Sequence, residues 1–137
     1  MIVCDTGPLV AAADRDDAHH DTVAATLEGL REPLVVPAPV VVEVCWLLER
    51  NLGAAAEAAF LSAGAQGELA IEDLIPADYE RMAVLVETYA DLPLGMVDAS
   101  VVAVAERLGI TRLLTINRRD FAVVRPAHVD AFELLPA

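Results

Sequence analysis

Short apolar runs of strand length alternate along this chain with longer segments of helical character, and that alternation is its tightest constraint. Met1–Cys4 is such a run, and Thr6-Gly7-Pro8 ends it. Leu9–Ala13 is long enough for a short helix, and Asp17–Arg31 puts Val23, Leu27 and Leu30 on one helical face. Leu34–Val36 reads as a second strand. Pro39 suits the first turn of a helix over Val40–Asn51, closed by Gly53. Ala54–Ala65 is helical up to Gly67, and Leu69–Ile71 is a third strand. Pro76 precedes a helix over Ala77–Tyr89, and Val97–Leu108 is another, capped by Gly109. Arg112–Ile116 is a strand, and Phe132–Leu135 a last edge strand. Strands alternating with helices imply βαβ units, and so an α/β fold whose mostly parallel sheet is covered on both faces. Sites in such sheets form at the carboxyl ends of the strands.

The length, 137 residues, fits one domain spanning 1–137. A hydrophobic fraction of 56% and few aromatics suit a core of Val, Ala and Leu. No apolar stretch reaches the roughly 18 residues of a membrane span, because Glu43, Glu49 and Arg50 interrupt the longest. The start, Met1–Gly7, lacks the basic region and cleavage site of a signal peptide, so a cytoplasmic protein is expected. Cys4 and Cys45 then read as reduced, buried and inert. Trp46 and Phe60 read as core.

Net charge is −13, which argues against a general nucleic-acid binder. The charge is uneven, however. All nine cations are arginines, and five of them (Arg107, Arg112, Arg118, Arg119, Arg125) fall within residues 107–125 beside one acid, Asp120. Such a segment is the minimum footprint for a phosphate-bearing partner.

The acids that stand out occupy apolar or strand-end positions. Asp5 follows Ile2-Val3-Cys4 directly, where it is either a turn residue or a carboxylate in the strand-end crevice. Glu43 interrupts Val40–Leu48, apolar nearly all round; a buried carboxylate needs a compensating partner, and a cation is the simplest. Asp98 opens a helix of Ala, Ser and Val, as an N-cap or as a site residue. Asn117 and Asp120 follow the strand ending at Ile116, with Arg118 and Arg119 between them. Oxygen ligands converging at one rim suit Mg²⁺ or Mn²⁺. Other chemistries lack their parts. His19, His20 and His128 have no partner at zinc-site spacing, G-x-S-x-G is absent, and without lysine no Walker loop is complete.

In this order and spacing, four segments resemble the PIN domains, and within them the VapC-like toxins of bacterial toxin–antitoxin modules. They are Ile2–Gly7, Pro37–Val44, Leu94–Ala99 and Leu114–Phe121. The resemblance implies a three-layer α/β/α fold with a central, mostly parallel sheet. It implies Mg²⁺-dependent endoribonuclease activity, Mn²⁺ substituting, on structured RNA such as tRNA or rRNA. It implies a homodimer neutralised by a cognate antitoxin in a heterotetramer or larger assembly. The family's acidic positions carry over onto Asp5, Glu43 and Asp98; the fourth, usually Asp, is Asn117 here, with Asp120 three residues on. On this reading Asp5, Glu43, Asp98 and Asp120 hold metal, Asn117 completes the site, and Thr6 and Thr115 support it. Arg118, Arg119 and Arg112 contact the RNA backbone, and the Ala-rich stretch 54–65 offers a dimer surface.

Two rivals stand beside this reading. A receiver domain or aspartate-nucleophile phosphatase relies on a lysine this chain lacks, and the phosphatases want a second Asp where Gly7 stands. A PIN-fold binding module with impaired catalysis is favoured by Asn117.

Overall fold

A computed structural model describes Met1–Ala137. Five strands form one parallel sheet: β1 (Ile2–Cys4), β2 (Leu34–Pro37), β3 (Ala70–Glu72), β4 (Arg112–Leu114) and β5 (Glu133–Leu135), in the order β3-β2-β1-β4-β5. The helices are α1 (Thr6–Ala13), α2 (His20–Gly29), α3 (Ala38–Leu52), α4 (Ala54–Ala65), α5 (Pro76–Thr88), α6 (Met96–Leu108) and α7 (Arg118–Val123). The chain builds outward from β1 to β3, then returns to β4 on the other side of β1. Strand order therefore reverses between β1 and β4, and crevices open at the carboxyl ends of strands at such a reversal. Cys4 pairs with Leu114 in the last step of that ladder. The next residues on each side are Asp5 and Thr115.

The strands are short, and the three central ones, β2, β1 and β4, are the buried ones; Ile2, Val3, Cys4, Val36, Leu113 and Leu114 have no exposed surface. Parallel strands covered on both faces must be apolar throughout, as β1 and β2 are. α6 passes through the middle of the molecule, and Ala99–Ala105 is buried residue after residue. Small side chains (Ala, Ser, Val) allow a helix to be enclosed all round. Gly109, at φ 69°, ends it in the left-handed conformation that glycine adopts without strain.

A buried ion cluster ties the strand edge to the helices. Asp78, at the first turn of α5, is 2% exposed. Arg107 donates through Nε to both its carboxylate oxygens at 3.0 and 3.1 Å, and through Nη1 to Glu72 at 2.9 Å. Arg107 lies in α6 and Glu72 ends β3, so one guanidinium joins three elements.

Several sequence expectations change. Thr6-Gly7-Pro8 is not a turn but the first turn of α1; proline is tolerated there because its missing N–H has no partner in a first turn anyway. α2 begins at His20, since Asp14 and Asp17 fold the preceding segment by accepting the N–H groups of Asp16 and His19. Residues 118–123 form a helix, α7, anchored by fully buried Phe121. Trp46 is not core: it is 59% exposed, with Arg50 stacked 5.2 Å from its ring centre. Phe60 is partly buried. Cys4 is buried, Cys45 only partly so, and neither is bonded to the other. No residue of α4 is fully buried. No helix is long and apolar enough to cross a membrane.

Candidate active site

Asp5 occupies the N-cap position of α1, yet its carboxylate makes no cap hydrogen bond. It turns instead toward β4, where Thr115 Oγ1 donates to Asp5 Oδ2 at 2.9 Å. The Asn117 N–H in turn donates to Thr115 Oγ1 at 2.9 Å. A hydroxyl that accepts from the next loop and donates to the carboxylate fixes Asp5 from one side. Asp5 is 5% exposed and Thr115 fully buried, so water competes little with this chain of bonds.

Asp98 sits in the first turn of α6 without capping it. Glu43 projects from α3 beside the buried Val40-Val44-Leu48 stripe and is half-buried. Asp5, Glu43, Asp98 and Asn117 line one cavity of about 450 Å³, together with Thr6 and Gly7. Asp120 stands at its rim in α7, its Oδ2 accepting from the Asn117 side-chain amide at 3.1 Å. The neutral Asn117 thus orients the acid three residues on.

The electrostatics tie these groups together. Burial, and after it the negative charges of Asp5, Glu43 and Asp120, together push the Asp98 carboxyl up to about 7. Asp5 is raised as well, by burial, although the Thr6 N–H and the Thr115 hydroxyl oppose the rise. Mutual repulsion of this kind requires the four carboxylates to converge.

The donor set suits a hard divalent cation, which would relieve that repulsion. Thr6 Oγ1 also fits: it is buried at the same cleft with no hydrogen-bond partner in the chain. As the side chains stand, however, no three acids form a ready-made ion cage. Mg²⁺ needs none, because it retains several waters and binds through one or two carboxylates.

Gly7 was not singled out from the sequence, but its position has a steric reason. A Cβ there would lie 2.5 Å from Ile116 Cγ1. The first turn of α1 can approach the strand-end loop only because residue 7 has no side chain.

The arginines separate. Arg118 donates through Nη1 to the Leu134 and Pro136 carbonyls at 3.4 and 2.5 Å. Arg119 extends into solvent, its side chain 87% exposed and 3.9 Å from Asp120. Arg112 does not belong with them. It opens β4 at the opposite end of the sheet, paired with Glu32 and with Glu133. A parallel strand separates its two ends, so residues three apart on β4 serve opposite rims.

A second, larger hollow of about 870 Å³ adjoins the cleft through Glu43 and Val97. Val42, Trp46, Tyr79 and Met96 give it an apolar lining and are each about half exposed or more. It carries no constellation of reactive groups.

Comparison with known proteins identifies the family and gives the same fold. The PIN domain model matches residues 2–125. Ribonuclease VapC26 of Mycobacterium tuberculosis is 31% identical over 135 residues, 98% of this chain and 100% of that protein. The crystal structure of Mycobacterium tuberculosis VapC20, a Sarcin-Ricin loop cleaving toxin, superposes with a TM-score of 0.82 at 20% identity, over 87% of this chain and 92% of that one. VapBC2 from Rickettsia felis, bound to a promoter DNA fragment, gives 0.72 at 18% identity over 98% of each chain. With the family model spanning most of its length and its acids gathered where β1 and β4 diverge, the chain belongs to the PIN domain family, as a VapC-like member.

Proposed function

We propose that this chain is a single-domain, divalent-metal-dependent endoribonuclease acting as the toxin of a toxin–antitoxin pair. The observation that carries this reading is the convergence of Asp5, Glu43 and Asp98 on one cavity, with Asp120 tied to its wall through Asn117; burial first, and then the neighbouring charges, hold Asp98 at about 7. The relative at 31% identity, named a ribonuclease, supports RNA as the substrate class, with tRNA or rRNA the structured targets. VapBC2 from Rickettsia felis and the toxin–antitoxin complex from Klebsiella pneumoniae support a cognate antitoxin as partner.

Asp5, Glu43 and Asp98 would hold Mg²⁺ or Mn²⁺, with Asp120 joining from α7. When bound, the ion supplies charge neutralisation at the phosphodiester and an acidified water. The chain's own residues do the rest. Thr115 keeps Asp5 in one orientation. Asn117 holds Asp120 toward the cleft, which offsets the missing fourth acid and favours an active enzyme over a binding module. Asp98, held at about 7 in the metal-free cleft, would give up its proton on taking its place as a ligand. Arg119 remains free to meet phosphate beyond the cleft.

The exposed apolar side chains Val42, Trp46, Tyr79 and Met96 support the homodimer, since a patch of this kind marks an interaction surface. It lies on α3, α5 and α6; α4, though Ala-rich, exposes a single large apolar side chain, Leu61.

The antitoxin-free protein is expected to cut tRNA or rRNA with Mn²⁺ and to stop when EDTA is added. Full cleavage in EDTA contradicts the metal-dependent reading. In the same preparation, light scattering should give about twice 14.6 kDa; a 14.6 kDa particle at assay concentration contradicts the dimer.

A further inference from the structure

A third cavity, of about 320 Å³, opens beside the acidic cleft, on the other side of Ile116. His19 and Thr22 from the start of α2 form one wall. Thr115, Ile116 and Arg118 form another, and the Pro136–Ala137 segment after β5 closes it. Its charge sets it apart in a chain of net charge −13. Each of the other three cavities is lined by at least one Asp or Glu; this one has none, and it alone is lined by an arginine and a histidine.

Its polar groups have hydrogen-bonding capacity to spare. Arg118 spends Nη1 on the Leu134 and Pro136 carbonyls, and Nε and Nη2 have no partner in the chain. Anchoring one nitrogen fixes the guanidinium plane, so less entropy is lost when the free edge binds. The His19 imidazole and the Thr22 hydroxyl donate to nothing in the chain. Of the two acids flanking His19 in sequence, Asp17 turns its carboxylate to the His19 N–H, and Asp21 does not line the hollow. Val23, Ile116 and Pro136 add apolar wall, which suits a ribose or base face.

The two cavities share Ile116, and Thr115 lines this one while donating to Asp5. A strand seated in the acidic cleft therefore runs on into the acid-free hollow without leaving the surface. We propose that this hollow is a nucleotide subsite. It takes the residue of the RNA strand next to the scissile bond, with its phosphate on Arg118 and His19 and its sugar or base against Ile116 and Pro136. The subsite rests on the ribonuclease reading and extends it. The cleft repels phosphate until its acids are neutralised, whereas the hollow presents the Arg118 guanidinium and no acidic side chain. It supplies the grip, and the cleft supplies the chemistry.

The test measures binding of a fluorescein-labelled, mixed-sequence single-stranded oligoribonucleotide in Mg²⁺, using Asp98→Asn protein so that the probe stays intact. Arg118→Ala is expected to weaken binding about tenfold and to flatten the log K against log salt slope by about 0.7, the loss of one single-strand phosphate contact. Because Arg118 also anchors the Leu134–Pro136 segment, a second variant, His19→Gln with Thr22→Val, probes the opposite wall, whose side chains make no hydrogen bond to that segment. It is expected to weaken binding about three- to fivefold. Unchanged affinity and slope in both variants overturns the subsite while leaving the ribonuclease reading intact. An Asp98→Asn parent that binds no RNA, from wild-type protein that cuts none, overturns both.

Discussion

Asp98→Asn is expected to abolish RNA cleavage, lowering the rate by about 10³-fold or more, while making the metal-free protein more stable. The two effects share one cause. Burial and then the charges of Asp5, Glu43 and Asp120 hold the Asp98 carboxyl at about 7, against an ordinary 3.8. A carboxyl raised in the folded state favours folding when protonated. That contribution is fully present below pH 4 or so and is lost as pH rises through about 7. Asparagine cannot ionise, so the variant escapes the loss. Thermal melting in EDTA at pH 8 should show it more stable by about 1–2 kcal/mol once solvent screening is allowed for, roughly 5 °C. At pH 4 the two proteins should melt together. A variant that loses activity and also melts lower at pH 8 would show that Asp98 supports the fold, and the crowded-cleft account would fail.

Arg107→Met carries the largest expected cost to folding. Asp78 is 2% exposed, and Arg107 meets both its carboxylate oxygens. Without Arg107 its remaining partner is the Ile75 N–H, at 3.0 Å. Leaving a buried charge with so little compensation costs about 3–5 kcal/mol, a drop of roughly 10 °C or more for a chain of this size. Asp78→Asn on top of Arg107→Met should recover part of the loss, because it removes the stranded charge. Urea denaturation of the wild type and the two variants checks this. A cost under about 1 kcal/mol for Arg107→Met alone would mean that Asp78 is solvated once its partner leaves.

The parts of this molecule visible in the sequence are those a short segment specifies by itself. The run Ile2-Val3-Cys4 is apolar at every position, so it had to be a buried parallel strand, and Asp5 had to leave its carboxyl end. Glu43 and Asp98 stood out because charge is scarce where they lie. The rest depends on distance in space. Trp46 sits in a helix apolar nearly all round, so its pattern did not say which stripe faces inward; packing chose Val40, Val44 and Leu48 and left Val42 and Trp46 outside. Arg112 is near Arg118 in sequence, but the strand between them carries it to the far end of the sheet. α7 is six residues long, too short for a helical period to register, yet Phe121 anchors it and so sets Asp120 at the rim. The hollow by His19 draws its walls from three distant segments, and only folding assembles it.

The central claim is that the converging carboxylates form a divalent-cation site. The most direct measurement is calorimetric titration of the metal-free protein with Mn²⁺ at pH 7, repeated for Asp5→Asn and Glu43→Gln. The account predicts saturable binding by the wild type, proton release as Asp98 is forced to ionise, and affinity at least tenfold weaker in each variant. Equal Mn²⁺ affinity in all three proteins, or no binding by the wild type, would contradict it.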